Sequence, residues 1–172
     1  MTTVYTIGHS NTPVETLIDQ LRDAGVRVLV DIRRFPGSRR WPQFNVDRLA
    51  ASLADAGIEY RHFEALGGRR KAHPDSPNTG LRNESFRAYA DYMAEAEFED
   101  AVAELLALAA EKPTAVMCAE AVPWRCHRSL VSDALVARGH EVIHLYGGKQ
   151  HPHSMTSVAR VEDGRVSYPA LL

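Results

Sequence analysis

The chain has 172 residues, of which 45% are hydrophobic and 24% are charged, and its formal net charge is −2. This length supports a single domain, residues 1–172, that buries roughly two-thirds of its unfolded surface. The near-neutral charge gives no global indication of a nucleic-acid or membrane partner, and no apolar run approaches the ~20 residues of a membrane span.

The first residues of the chain and its cysteine content indicate the cellular compartment of the protein. Only three residues precede the first apolar run, which leaves no room for a signal peptide. The two cysteines, Cys118 and Cys126, lie in one short segment. We therefore expect a cytoplasmic protein, in which thiols stay reduced and are catalytic, ligating or simply buried.

Apolar runs alternate with amphipathic segments along the chain. The first helix is expected to have Thr12 as its N-cap, Pro13 at its first position and Glu15 completing a capping box, and to end at Gly25. The predicted strands are 4–8, 28–32, 58–63 (more polar, near an edge), 114–118 and 142–146. The other predicted helices are 46–56, 84–111 with a break near 95–97, and 123–138, and a small hairpin is expected around residues 163–164.

This alternation predicts a three-layer α/β/α fold with a mostly parallel, five-stranded sheet and a small C-terminal β hairpin. A Rossmann-like strand order, 3-2-1-4-5, would place the first and fourth strands side by side. Because ligands bind at the carboxyl edge of such sheets, we expect the segments after strands one, two and four to meet in one site.

Five segments resemble the domain-of-unknown-function 488 family. They are Thr6–Ser10, Asp31–Arg33, Leu66–Gly68, Phe86–Met93 and the block from Cys118 to Arg128. The resemblance spans nearly the whole chain in order. It implies a compact α/β domain, found in bacteria and archaea, whose biochemical activity is undetermined.

The segment from Cys118 to Arg128 carries the densest chemistry. Cys126, His127 and Arg128 are expected in the first turns of a helix, where unpaired amides and the macrodipole favour an anion and lower the pKa of a thiol. Arg128 would then bind a phosphate or carboxylate. His127 is a proton-transfer candidate, or alternatively a core histidine facing the apolar side of the helix. Glu120 is a candidate general base, or alternatively an ion-pair partner of an arginine, and Cys118 is interpreted as a small buried hydrophobe.

The ends of the first two strands add four candidates. His9 can act as an acid, a base or a hydrogen-bond donor, and Ser10 can contact an anion or support the turn. Arg33 and Arg34 are candidate anion contacts. Asp31 can bind a ribose hydroxyl or a metal, or simply hold a neighbouring arginine.

The loop 33–41 mixes arginines with Phe35 and Trp41, a combination that holds single-stranded nucleic acid but also describes a solvated, anchored loop. Residues 67–71 are either a second wall of the same cleft or an exposed loop. The spacing of Cys, His and Glu matches no zinc motif, and phosphate-loop and dinucleotide fingerprints are absent. We therefore predict no metal and no cofactor.

Two functions stay open at this stage, and whether the protein is an enzyme is not decided by its sequence. The first is an enzyme acting on an anionic, phosphate-bearing substrate such as a nucleotide or a nucleic-acid end. The second is a non-catalytic module that binds nucleic acid or an anionic metabolite through loop 33–41. Thiol redox chemistry between the two cysteines is a third, smaller possibility, and the oligomeric state is not predicted.

Overall fold

The computed structural model describes residues 1–38 and 40–170. Arg39, which belongs to the predicted Arg/aromatic loop, lies outside the described residues. The strands are β1 (Thr3–Gly8), β2 (Val28–Asp31), β3 (Glu59–His62), β4 (Thr114–Cys118), β5 (Glu141–Tyr146), β6 (Lys149–Pro152), β7 (Arg160–Glu162) and β8 (Arg165–Ser167). The α-helices are α1 (Val14–Asp23), α2 (Val46–Asp55), α3 (Glu84–Tyr92), α4 (Ala96–Glu111) and α5 (Arg128–Ala137).

The central sheet has six strands in the order β3-β2-β4-β1-β5-β6, and all neighbours are parallel except β5 and β6. The predicted adjacency of β1 and β4 is confirmed. The predicted 3-2-1-4-5 order is wrong in one place, because β4 lies between β2 and β1. Every residue of β4 is buried, as expected for a central strand of a parallel sheet covered on both faces.

Helices cover both faces of the sheet, which confirms the predicted three layers. One face packs on α1 and α2 through Leu17, Leu21, Leu49 and Leu53. The other face packs on α3, α4 and α5, and its larger core includes Tyr89, Phe98 and Leu130. The two-stranded β7–β8 hairpin, the break between α3 and α4, and the edge position of β3 are also as predicted.

Two helix starts and one strand differ from the sequence-based expectation. Helix α1 begins at Val14 with Pro13 as its N-cap and no side-chain cap, so the capping box from Thr12 is wrong. Helix α5 begins at Arg128, because Pro123–Arg125 forms a separate 3₁₀ turn and Cys126 is extended. Cys126 therefore precedes the helix. The antiparallel strand β6 was not predicted; Gly147 and Gly148, both with positive φ, make the tight turn into it.

No helix in the described residues is both long enough and apolar enough to cross a membrane.

Candidate active site

A cleft of about 780 Å³ opens at the carboxyl edge of the sheet, where β1, β2 and β4 end. We call it the arginine cleft. Seven of the eight candidate residues line it: His9, Ser10, Arg33, Arg34, Glu120, Cys126 and His127. Arg128 does not line it and lies fully buried, 0% exposed. The predicted convergence of three strand ends is thus present, even though the strand order differs.

Backbone pairing continues past the strand ends and brings these segments together. The His9 amide donates to the Cys118 carbonyl at 3.0 Å, and the Ser10 amide donates to the Ala119 carbonyl at 2.9 Å. A Cβ atom on Gly8 would lie 1.8 Å from the Glu120 carbonyl oxygen. Only glycine fits at this crossing, and it lets the loop after β4 pass directly over the end of β1.

The two cysteine thiols are neighbours in the wall of the arginine cleft, and both are free and buried. The Cys118 thiol donates to the Glu120 carbonyl at 3.4 Å, and the Arg128 amide donates to the Cys126 sulfur at 3.4 Å. Burial raises the pKa of Cys118, but the neighbouring Cys126, the charge of Arg128 and the Glu120 backbone together lower it below its usual value. The neighbouring Cys118 and burial raise the pKa of Cys126. The pair thus loses its first proton easily and its second with difficulty. Cys118 is 2% exposed and belongs to the apolar core, as its sequence position predicts, and it also borders the cleft.

Arg128 is the cation next to this pair. Its NH2 group donates to the Ala121 carbonyl at 3.1 Å, while its Nε and NH1 atoms are buried without a hydrogen-bond partner in the described part of the chain. No ion pair among residues 1–38 and 40–170 involves it. A buried guanidinium is costly without a counter-charge.

His127 lies next to the Cys126 thiol. Its Nδ1 atom lies 3.5 Å from the Cys126 sulfur, and its ring centroid is 4.8 Å from that of Tyr89. Burial lowers the pKa of His127 to about 4, against the carbonyl oxygens of Ile32 and Leu66, which raise it. His127 is therefore a neutral imidazole at neutral pH, with Nδ1 facing the Cys126 sulfur.

This lowered pKa makes a testable contribution to stability. Below the unfolded value of 6.5, the unfolded chain binds a proton at His127 that the folded protein does not bind. As pH falls from about 6.5 to about 4, we expect the folded state to lose roughly 3 kcal/mol from this group. Urea denaturation at both ends of that range should show a weaker pH dependence for His127→Gln than for the wild type.

The exposed His73 supplies the control for this measurement. His73→Gln should retain the full pH dependence of the wild type. Identical slopes for the wild type and His127→Gln would contradict the assignment.

Asp31, Arg33 and His9 form one hydrogen-bonded row along the cleft. The Asp31 carboxylate accepts from Arg33 Nε at 2.9 Å, from Arg33 NH2 at 2.7 Å and from the Tyr60 hydroxyl at 2.6 Å. His9 Nδ1 donates to the Ser10 carbonyl at 2.8 Å, so Nε2 is the acceptor facing Arg33 NH1 at 3.4 Å. Asp31 therefore holds Arg33, and the charge of Arg33 is already balanced. Burial lowers the pKa of His9.

The remaining charges of the cleft are predominantly positive. Arg34, Arg40, Arg69 and Arg125 line it without a carboxylate partner in the described residues. Glu120 is the one carboxylate among the described lining residues; it is exposed and pairs with neither Arg33 nor Arg128. Arg69 lines the cleft, whereas Arg70 lies 3.8 Å over the Tyr92 ring and does not. Residues 67–71 thus form only part of a second wall.

The cleft also includes residues that the sequence did not indicate: Arg125 and the α3 residues Ser85, Phe86 and Tyr89. Arg40 and Arg69 line it as members of loop 33–41 and of residues 67–71, both of which the sequence analysis considered. The α3 contribution had one available signal, since Phe86–Met93 is among the segments that carry the family resemblance. Helical periodicity alone marks Tyr89 as core, and its hydroxyl donates to the Leu66 carbonyl at 2.7 Å.

A buried polar chain lies behind the thiol pair and was also missed. The Thr6 hydroxyl contacts His144 Nδ1, and His144 Nε2 lies 2.8 Å from His153 Nδ1. His153 Nε2 lies 2.7 Å from the Asp133 carboxylate, which also accepts from the Tyr168 hydroxyl at 2.8 Å. We call Thr6–His144–His153–Asp133 the relay chain. Its members lie on β1, α5, β5 and the segment after β6, and the fold brings them into contact.

No group of three or more His, Cys, Asp or Glu side chains arranged to hold a metal ion occurs within residues 1–38 and 40–170.

Comparison with known proteins gives a family and no activity. The family model described as domain of unknown function DUF488 matches residues 13–135, well over half of the chain. No curated protein and no solved structure matches the chain. The matched range includes the ends of β2 and β4, the thiol pair and most of α5. The chain therefore belongs to the DUF488 family.

Proposed function

We propose that the protein is an enzyme that acts on an anionic, phosphate-bearing substrate bound in the arginine cleft. The observation that carries this proposal is the charge of the cleft: five arginines and one carboxylate line it, above a thiol pair that faces the buried Arg128. Arginine suits phosphate because its planar fork donates two parallel hydrogen bonds.

Each residue has a role that follows from its surroundings. Arg34 and Arg125 bind the anion, because neither has a carboxylate partner in the described residues. The Cys118–Cys126 pair supplies the thiolate nucleophile, with the charge on Cys118 and the thiol proton on Cys126. Glu120, exposed in the cleft, is the candidate general base.

The remaining candidate residues have roles that differ from the sequence-based expectation because of where they lie. Arg128 lowers the pKa of the Cys118 thiol and does not contact the substrate. Arg33 and His9 form a rigid wall, since Asp31 and Ser10 hold their polar atoms. Ser10, whose φ of 46° is held by the loop after β4, presents its hydroxyl at the rim. The proposal assigns the protein to the cytoplasm, where thiols stay reduced.

Anion binding is the direct test of this function. Calorimetric titration with inorganic pyrophosphate should show binding that weakens about tenfold in Arg125→Gln and in Arg34→Gln, because each loses a charge-assisted hydrogen bond. Arg160→Gln, on β7 outside the cleft, makes the same charge change and should leave affinity unchanged. Equal affinities in all four proteins would rule out the cleft as the anion site.

One observation favours the second candidate, a non-catalytic nucleic-acid module. Phe35 is 60% exposed at the cleft, with Arg34 and Arg69 over its ring at 5.7 and 5.5 Å, and Arg40 lies 5.4 Å over Trp41. Such a module would bind single-stranded oligonucleotides with an affinity that falls steeply with salt and with Phe35→Ala, while Glu120→Gln has no effect. A flat salt titration argues against it.

A further inference from the structure

A second pocket, of about 520 Å³, shares Phe86 with the arginine cleft. We call it the aromatic pocket. Its wall also includes Trp124, Tyr146, His144, His151 and Thr156. The volume lies within the range of pockets that bind small organic molecules.

The aromatic pocket differs from the arginine cleft in charge. No Lys, Arg, Asp or Glu occurs among its lining residues in the described chain. Both ring nitrogens of His144 are engaged, one by Thr6 and the other by His153, and burial lowers the pKa of His144 to about 3. The pocket therefore lacks the arginines and carboxylates that line the cleft next to it.

Aromatic rings line its mouth. Trp124 is 66% exposed, an unusual position for a large apolar side chain, and its ring centroid lies 6.0 Å from that of Tyr146. A planar ring placed against Trp124 would cover this surface and gain stacking energy. The hydroxyl of Thr156 and the ring of His151 are polar groups at the wall that can meet the polar edge of such a ring.

The two sites are close enough to bind one molecule. Trp124 faces the aromatic pocket and Arg125 faces the arginine cleft, and consecutive Cα atoms are only ~3.8 Å apart. On α3, Ser85 lines the cleft and Phe86 lines both sites. A ligand with an anionic end and an uncharged planar end can therefore occupy both.

Resting on the proposed function, we infer that the substrate is a nucleoside monophosphate whose base binds in the aromatic pocket while its phosphate binds in the arginine cleft. This assignment names a base-binding site at Trp124 and Tyr146 and narrows the substrate from phosphate-bearing anions in general to nucleotides.

The test compares adenosine 5′-monophosphate with ribose 5-phosphate, which carries the same phosphate without a base. Calorimetric titration of the full chain should show the nucleotide binding roughly tenfold or more tightly, the magnitude expected for one stacked base. Trp124→Ala should abolish that difference by weakening only nucleotide binding. Trp124→Phe, the matched control, should retain most of it, and circular dichroism should show both variants folded because Trp124 is exposed.

The outcomes separate the two proposals. If both ligands bind equally to the wild type, or if Trp124→Ala weakens them equally or not at all, the base site is overturned while the anion site stands. If neither ligand binds, and Arg125→Gln changes nothing, both proposals fail.

Discussion

Replacing Arg128 by methionine is expected to raise the apparent pKa of the Cys118–Cys126 pair, because the cation that favours the thiolate is removed. The rate of alkylation by iodoacetamide as a function of pH measures this pKa directly, since only the thiolate reacts. At neutral pH the variant should react at least several-fold more slowly than the wild type. Catalysis that depends on the thiolate should fall in parallel.

The same substitution is expected to leave stability unchanged or to increase it. Two polar atoms of the Arg128 guanidinium are buried without a partner in the described structure, and replacing a poorly compensated buried charge by an apolar side chain of similar length is often stabilising. If Arg128→Met lowers the alkylation rate but does not lower the free energy of unfolding, Arg128 serves the chemistry of the thiols and not the stability of the fold. Loss of both would indicate a mainly structural role.

Arg138, the C-cap residue of α5, supplies the control. It pairs with Glu99 at 2.7 Å near the surface and has no thiol in its surroundings. Arg138→Met removes the same charge from α5, yet it should leave the pH profile of alkylation in place. If the apparent thiol pKa shifts equally in Arg128→Met and Arg138→Met, the cause is the change in net charge and not the position of Arg128.

Asp133→Asn is expected to destabilise the fold by roughly 1–3 kcal/mol, because it replaces one of two buried acceptor oxygens by an amide donor without changing the side-chain volume. Asp133 is 0% exposed and accepts hydrogen bonds from His153, the Thr156 amide and the Tyr168 hydroxyl. These bonds join α5 to the segment after β6 and to the C-terminal residues. Urea denaturation measures the loss as a lower midpoint at constant slope.

Glu99→Gln is the matched control for Asp133→Asn. Glu99 also pairs with a cation, Arg138, but it is 30% exposed, and pairs of this kind contribute about 0.2–1 kcal/mol. A similar small loss for Asp133→Asn would contradict the view that the relay chain fastens the C-terminal segments to α5.

Local patterns were sufficient to predict most of the elements. Alternating apolar runs and helix-ending glycines such as Gly25 and Gly57 gave the strands and helices to within a few residues. The exceptions are two helix starts, where a neighbouring proline or turn competes with the first helical turn. Pro13 ends up outside α1 as its N-cap, and the turn at Pro123–Arg125 displaces the start of α5 to Arg128.

The chemistry of the thiol segment was only partly predictable. Residues 118–128 were correctly placed between a strand and a helix at the carboxyl edge, where parallel strands present their loops. The prediction that Cys118 is a buried core residue is confirmed, whereas Arg128, expected to contact a ligand, is fully buried and does not line the cleft. Burial depends on which segments pack around a residue, and that is not a local property.

The sequence by itself determined the α/β class, the three converging strand ends and the family, because strand and helix periodicity and short motifs are local. Only the tertiary structure decided that β4 separates β1 from β2, that Arg128 is sealed against two thiols, and that Asp133 meets His153 and Tyr168. The physical reason is sequence separation. Contacts between different elements form only when the whole core closes, and a buried charged group meets its hydrogen-bond partners at that step.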